Sequence, residues 1–421
     1  MERAVALLVF AGAYVLFVLL PNRRSITAMA AGLVLVVTGT LTFPEAVYAV
    51  NWNVIGIFVG MLLAADSFIE SRFPAYFAEV IINRAKNAAW AILFICALTS
   101  AISAFVENVA TLLIVAPIAL SLAKKLDISP LKMIIAIAIS SNLQGAATLI
   151  GDPPSMLLGG YSKMHFLDFF FYHGKPSIFF ATQLGALTSF VVLYLVFRGH
   201  TEAAQPTNQD RVKSWVPAVL LGLLIVVLAG TSFFDKEFSW LAGTVCMVFG
   251  VAMFAFETRF NRGRVVTSLR QLDWDTTFFL MGIFIIVESL TLTGWVDSMA
   301  AFVSTLVQGN VLLAYSAIVC FAVVFSGFVD NVPFLAAMLP VAGTMSANMD
   351  VPPSLFLFGL LMGASLGGNI TPIGAAANVV GCGILRKEGY TVTFRDFGKI
   401  SIPFTLAAVI PGAIFVWFVW G

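Results

Sequence analysis

Two acid–amide pairs interrupt long apolar runs in this chain. Glu107-Asn108 lies between Ala88–Phe105 and Ala110–Leu122, and Asp330-Asn331 lies between Val311–Val329 and Pro333–Thr344. An ionised carboxylate in apolar surroundings is costly and by default marks an ion or proton pathway. Acids and amides are also ordinary turn residues at a membrane surface. Surface loops here would add one crossing to each half and strand Lys124, Lys125 and Lys132 on the wrong side. The pairs are therefore expected at the tips of re-entrant hairpins, near the bilayer midplane.

A second constellation consists of backbone breakers inside apolar passages. Ser140-Ser141-Asn142-Leu143-Gln144-Gly145-Ala146-Ala147-Thr148, followed by Gly151-Asp152-Pro153-Pro154, interrupts Leu131–Tyr161. Gly367-Gly368-Asn369-Ile370-Thr371-Pro372-Ile373-Gly374 interrupts Leu355–Ile384. Irregular backbone at membrane depth persists only when buried in protein or lining a watery cavity. Interrupted segments at matching places in two halves point to a transporter binding site. Pro153 and Pro154 suit the first turn of a new half-helix, whose N-terminus would face the cavity. The candidate ion- or substrate-binding residues are thus Glu107, Asn108, Asn142, Thr148, Asp152, Asp330, Asn331, Asn369, Thr371 and Asn378, with no Lys or Arg among them.

Asp66 and Glu288 are a further matched pair of acids, each fourteen residues after a matched Trp, about 20 Å of helical rise. They are either an ion-coupling pair or helix-end residues. The cysteines at 96, 246, 320 and 382 are dispersed in apolar runs, and His165, His173 and His200 fall at expected helix ends. Neither set has metal-ligand spacing. Hydrolase, protease and phosphate-loop motifs are missing from the sequence, so an enzyme is not expected, and no cofactor beyond a coupling ion, H+ or Na+.

The elements that must position these residues are membrane helices. Of the 421 residues, 60% are hydrophobic and 11% charged, about half the charge of a soluble domain. Spanning-length apolar stretches recur from Ala4–Leu20 to Pro403–Trp420, which points to an all-α polytopic protein in the plasma (inner) membrane. The lipid bilayer is then its surrounding partner. The net charge of +1 suggests no nucleic-acid partner. Phe166–Phe171 with Tyr172 reads as an interfacial helix.

The sequence also repeats weakly. Val50-Asn51-Trp52-Asn53 matches Leu272-Asp273-Trp274-Asp275, and Glu107-Asn108-Val109 with Pro117 matches Asp330-Asn331-Val332 with Pro340. The offsets are 222 and 223, and the broken segments match loosely near 227 through Asn142 and Asn369. This gives a first repeat over 1–197, with a hairpin at about 88–124 and a broken helix at about 130–162. A cytoplasmic linker follows over 198–213. The second repeat covers 214–421, with a hairpin at about 311–346 and a broken helix at about 354–388. Five net crossings per repeat make the second copy inverted. With both termini outside, only Arg3, Lys163, Lys175 and Lys236 of the 23 basic residues are external, and Arg24, Arg262 and Arg264 are among those on the cytoplasmic side.

Glu107–Pro117, Ala147–Pro154 and Gly374-Ala375-Ala376-Ala377-Asn378-Val379-Val380 resemble signatures of the ion transporter superfamily. The likeness is nearest the branch holding the arsenical-pump membrane subunit, the NhaD-type Na+/H+ antiporters and the P protein, with divalent-anion/Na+ symporters more distant. The symporters carry Ser-Asn-Thr at each tip, where only Asn108 and Asn331 match here. The resemblance implies an elevator-type carrier, a homodimer, and Na+ near Asn108, Gly145, Asn331 and Gly368. It also implies a separate ATPase subunit if the chain is part of an arsenical pump. The carboxylates favour cation coupling, because desolvated acids accept a proton or cation readily. The expected cargo is arsenite or antimonite, or Na+ exchanged for H+. A dicarboxylate-, citrate- or sulfate-like anion is the alternative, and a channel the alternative class.

Overall fold

The structure is a computed structural model that describes every residue except 1, 21–22, 203–210, 261–267 and 271. Half of the proposed linker, 203–210, and also Arg262 and Arg264, therefore lie outside the described residues.

The first half runs α1 (Glu2–Leu19), α2 (Arg24–Val37), α3 (Phe43–Ala49), α4 (Trp52–Glu70), α5 (Phe73–Ile82), α6 (Ala88–Ser103), α7 (Asn108–Lys125), α8 (Leu131–Gly145), α9 (Pro153–Ser162) and α10 (Ile178–Phe197). The second runs α11 (Val216–Thr231), α12 (Leu241–Phe260), α13 (Trp274–Leu292), α14 (Trp295–Leu306), α15 (Val311–Ser326), α16 (Asn331–Asn348), α17 (Pro353–Gly367), α18 (Ala376–Lys387) and α19 (Phe394–Trp420). From α4 and α13 onward the two halves present the same succession of helices. Among the described residues, eight helices have the length and apolarity to cross a membrane. The protein is a multi-pass, nearly all-helical membrane protein. The Phe-rich segment is only briefly helical: a four-residue 3-10 helix (Phe166–Phe169) leads into a two-residue antiparallel pair, β1 (Phe171–Tyr172) with β2 (Lys175–Pro176). Gly174 there takes a positive φ of 76°, which turns the chain back on itself.

The repeated Asn-Trp-Asn and Asp-Trp-Asp motifs start equivalent helices in the same way. Asn51 accepts from the Val54 amide at 3.1 Å and Asp273 from the Thr276 amide at 2.9 Å, each capping its helix. Each Trp indole reaches back five residues, to Val47 and Leu269 carbonyls. The third motif residue grips a helix of the other half. Asn53 donates to Phe238 O at 2.9 Å and accepts from Gly243 N at 2.6 Å, fixing the start of α12. Asp275 accepts from Arg24 Nε at 3.0 Å and from Ser25 Oγ, fixing the start of α2.

These grips join two of the three most extensively packed pairs in the fold, α4 with α12 and α2 with α13; the other is α10 with α19. A side chain cannot stand between α4 and α12, since a Cβ on Gly60 would lie 2.3 Å from the Cys246 backbone. The hairpins form a second group. The α6–α7 pair packs on α8, and the α15–α16 pair packs on α17. The half-helices then exchange partners: α9 packs on α16 and α18 on α7.

Candidate functional site

Glu107 and Asp330 sit where their hairpins turn, and both act as helix caps. Glu107 Oε2 accepts from Ala110 N at 2.9 Å, starting α7. Asp330 Oδ1 accepts from Val332 N at 3.0 Å, starting α16. A short acidic side chain before an apolar run is a natural N-cap, and the helix dipole favours the negative charge there. Asn108 follows, its Oδ1 accepting from Ser103 Oγ at 2.6 Å.

Both breaks are built on the same skeleton. Thr148 Oγ1 donates to the Ala104 carbonyl, and Thr371 Oγ1 donates to the Gly327 carbonyl, so each break is tied to the end of its own hairpin's first arm. A Cβ on Gly151 would meet Gly145 O at 2.4 Å, and one on Gly374 would meet Gly368 O at 2.6 Å. Only glycine allows this crossing of the chain over itself. Thr148 and Thr371, Gly145 and Gly368, and Gly151 and Gly374 are all 223 residues apart.

This corrects the sequence alignment of the breaks near 227. Asn142 and Asn369 are not equivalents but partners: Asn142 Nδ2 donates to Asn369 Oδ1 at 2.8 Å and to Asn378 Oδ1 at 3.1 Å. Asn369 Nδ2 donates to Ile139 O at 3.2 Å, and Asn378 Nδ2 to Gly368 O and Thr371 O, both at 3.0 Å. The three amides form a closed, buried cluster that joins α8 to α18. Buried amides require such partners, because an unmade bond forfeits about 1–3 kcal/mol.

In the same register, Asp152 stands where the second half has Ala375. Asp152 caps α9 through Oδ1, 2.9 Å from Ser155 N, and Pro153 and Pro154 fill the first turn. Its other oxygen, Oδ2, is buried with no hydrogen-bond partner among the described residues. Asp152 Oδ2 and Asn108 Oδ1 both lie within 3 Å of the point a Gly145 Cβ would occupy, so the missing side chain leaves room for both. A buried carboxylate oxygen and an amide oxygen, with the Gly145 carbonyl beside them accepting from Ser155 Oγ at 3.1 Å, form an oxygen-rich pocket of the kind that holds a hard cation or a proton.

The tips and breaks meet in one small cavity of about 60 Å3, lined among others by Glu107, Asn108, Asn142, Asp152, Asp330 and Asn331. Thr148, Asn369, Thr371 and Asn378 lie behind this surface and shape it through the bonds above; Ala375, Ala376 and Ala377 form its wall beside Asn378. Gly145 adjoins Asn108 and Asp152, whereas Gly368 faces Gly374.

The structure also adds a cation. Arg24, counted as a surface charge in the sequence, lines the cavity with Asp273 and Thr276. Its Nη1 donates to Asp330 Oδ2 at 2.5 Å, its Nη2 to Thr276 Oγ1 at 2.7 Å and its Nε to Asp275 Oδ2 at 3.0 Å. The expectation that no Lys or Arg enters the site is therefore wrong. Sequence order hid the contact, since Arg24 and Asp330 are 306 residues apart. The available signal was the change from Asn51 and Asn53 to Asp273 and Asp275 in the repeated motif, because two added acids need a counter-charge.

Asp66 and Glu288 stay outside this cavity. Asp66 is half-buried on α4, eight residues beyond the cavity-lining Phe58, which is about 12 Å of helix. Glu288 lines a separate cavity of about 380 Å3 with Asn51, Tyr161, Asp297 and Thr344.

Comparison with known proteins places this geometry in context. The family described as citrate transporter (CitMHS) matches residues 14–350 and again 251–421. An uncharacterised transporter of Mycobacterium tuberculosis is 29% identical, with 98% of this chain and 97% of that protein covered. The P protein of Mus musculus is 25% identical over 98% of this chain and 60% of its own length. The crystal structure of the Alcanivorax borkumensis YdaH transporter is similar in fold, with a TM-score of 0.62 and 12% identity, covering 91% of this chain and 87% of that one.

Proposed function

The chain belongs to the CitMHS citrate transporter family, and from that premise we propose that it is a secondary active carrier driven by H+ or Na+. The observation that carries this reading is the meeting of both hairpin tips and both broken helices at one cavity rich in carboxylates. Glu107, Asp152, Asp273 and Asp330 line it against a single cation, Arg24, already bonded to Asp330. That balance attracts a cation or proton and opposes a bare anion. The coupling ion is assigned to the pocket of Asn108, Gly145 and Asp152.

We read the two halves as inverted copies. The reciprocal packing of α4 with α12 and α2 with α13, and of α9 with α16 and α18 with α7, supports this, as does the charge asymmetry of the loops. The separation into a paired-helix group and a hairpin group supports an elevator-type alternation of one against the other.

The cargo that fits best is a small cation exchanged for protons, or a neutral species such as arsenious acid, which amides and hydroxyls can hold. A second reading is a carboxylate anion carried with cations; the family description favours it. Flux into proteoliposomes under an imposed pH gradient separates them. Arsenite or Na+ movement supports the first, citrate movement with cations the second, and movement of none removes both. Flux that saturates with concentration supports a carrier; strictly linear flux supports a channel.

A further inference from the structure

The guanidinium of Arg24 is fixed to one helix pair and reaches out to the other group with a single branch. Nε and Nη2 are held by Asp275 and Thr276 at the start of α13, and the guanidinium carbon stands 5.2 Å above the Phe279 ring. The remaining branch, Nη1, is bonded to Asp330 at the tip of the α15–α16 hairpin. Asp330 in turn divides its work. Oδ1 caps α16 and builds the tip, whereas Oδ2 makes the bond to Arg24. Removing the charge of Asp330 can thus break the bond to Arg24 while the cap stays in place.

Among the described residues, the first hairpin has no such tether. At the matching contact, Asn53 grips Gly243, and the start of α12 reads Leu241-Ala242-Gly243, without a charge. The pair is also not fully enclosed by protein, with the Arg24 and Asp330 side chains 21% and 34% exposed at the cavity. The other titratable groups around it are Tyr14 of α1, Asp273 and Asp275 of α13, and, across the cavity, Glu107 and Asp152. Tyr14 also bonds the tip, through the Pro333 carbonyl.

We propose that Arg24 is a positioning residue that latches the second hairpin tip to the α2–α13 pair, and that a proton or cation arriving at Asp330 releases it. Arg24 acts through Asp330 and not on the cargo. The latch makes hairpin movement conditional on ion occupancy, which is the requirement for coupling. The proposal rests on the reading of this cavity as the transport site, but its test needs no transport.

Hydrogen–deuterium exchange of the purified protein in lipid nanodiscs, at one fixed pH, reads the latch at the amides of 328–332, with 105–109 of the other tip as internal control. The Phe328 and Val329 amides are bonded to the Phe325 carbonyl, so they exchange only when the tip opens. Asp330→Asn and Arg24→Gln each raise exchange at 328–332 by about tenfold, the loss of one charged hydrogen bond, and leave 105–109 unchanged. The double variant exceeds neither single one, because both remove the same bond. Wild-type exchange in Asp330→Asn, or additive effects in the double variant, overturns the latch. If Arg24→Gln fails to fold, Asp330→Asn alone decides. A purely structural role for Arg24 would disturb α2 and α13 in Arg24→Gln and leave Asp330→Asn silent. Absence of any ion flux would defeat the carrier reading and leave this result standing.

Discussion

Asn142 on the first broken helix donates a 2.8 Å hydrogen bond to Asn369 on the second. Together with Asn378 it closes a buried amide cluster at the centre of the molecule. Asn142→Ala leaves the Oδ1 atoms of Asn369 and Asn378 without that donor. The expected cost is about 2–4 kcal/mol, for two buried acceptors losing their partner. Thermal unfolding in detergent checks this as a lowered midpoint; an unchanged midpoint would mean that the cluster is replaced by water.

Asp152 separates stability from function. Asp152→Asn keeps an efficient N-cap on α9 and keeps the fold, since Asn and Asp cap equally well. It removes the carboxylate beside Asn108, and ion-driven transport is expected to fall to background. Asp152→Ala loses both the cap, about 1 kcal/mol, and transport. Parallel melting and uptake measurements distinguish the two variants. Normal uptake in Asp152→Asn would take the acid out of the site.

Gly151 allows the chain to cross over Gly145 O. Gly151→Ala brings a Cβ to 2.4 Å from that oxygen, which is backbone and cannot step aside. The expected penalty is about 1–3 kcal/mol, with the same outcome for Gly374→Ala, whose contact is 2.6 Å. Loss of transport with a lowered unfolding midpoint is the predicted result for both.

The hairpin acids test coupling rather than folding. Glu107→Gln and Asp330→Asn retain an acceptor for the caps at Ala110 and Val332. Both are expected to change the pH dependence of uptake, measured from pH 5 to 9 in proteoliposomes, because each removes a group whose bound protons can differ between the two states of the carrier. An unchanged profile in both would make these acids structural.

Much of this arrangement is legible in the sequence because its components are conspicuous. Gly, Pro, Asn and acids stand out in apolar runs, and Glu107, Asp152 and Asp330 each precede a helix that they cap. The register of the two breaks is not legible from the asparagines. Contact and equivalence look alike in a sequence, and Asn142 and Asn369 touch without being counterparts, whereas Thr148 and Thr371 are counterparts without touching. Arg24 is hidden for another reason. A basic residue between two apolar runs reads as a loop charge, and only folding brings it to Asp275 and Asp330. The Phe-rich stretch at 166–171 misleads because its aromatic side chains pack on one another in a turn, without a helical stripe.

The central claim is that the cavity between the tips and breaks moves an ion. Uptake by proteoliposomes under an imposed pH gradient tests it most directly, with wild type compared with Asn108→Ala and Asn331→Ala. The account predicts saturable, gradient-driven flux of Na+, arsenite or a carboxylate anion in the wild type, and none in either folded variant. Near-normal flux in both variants, or no flux of any of these ions in the wild type, would contradict it.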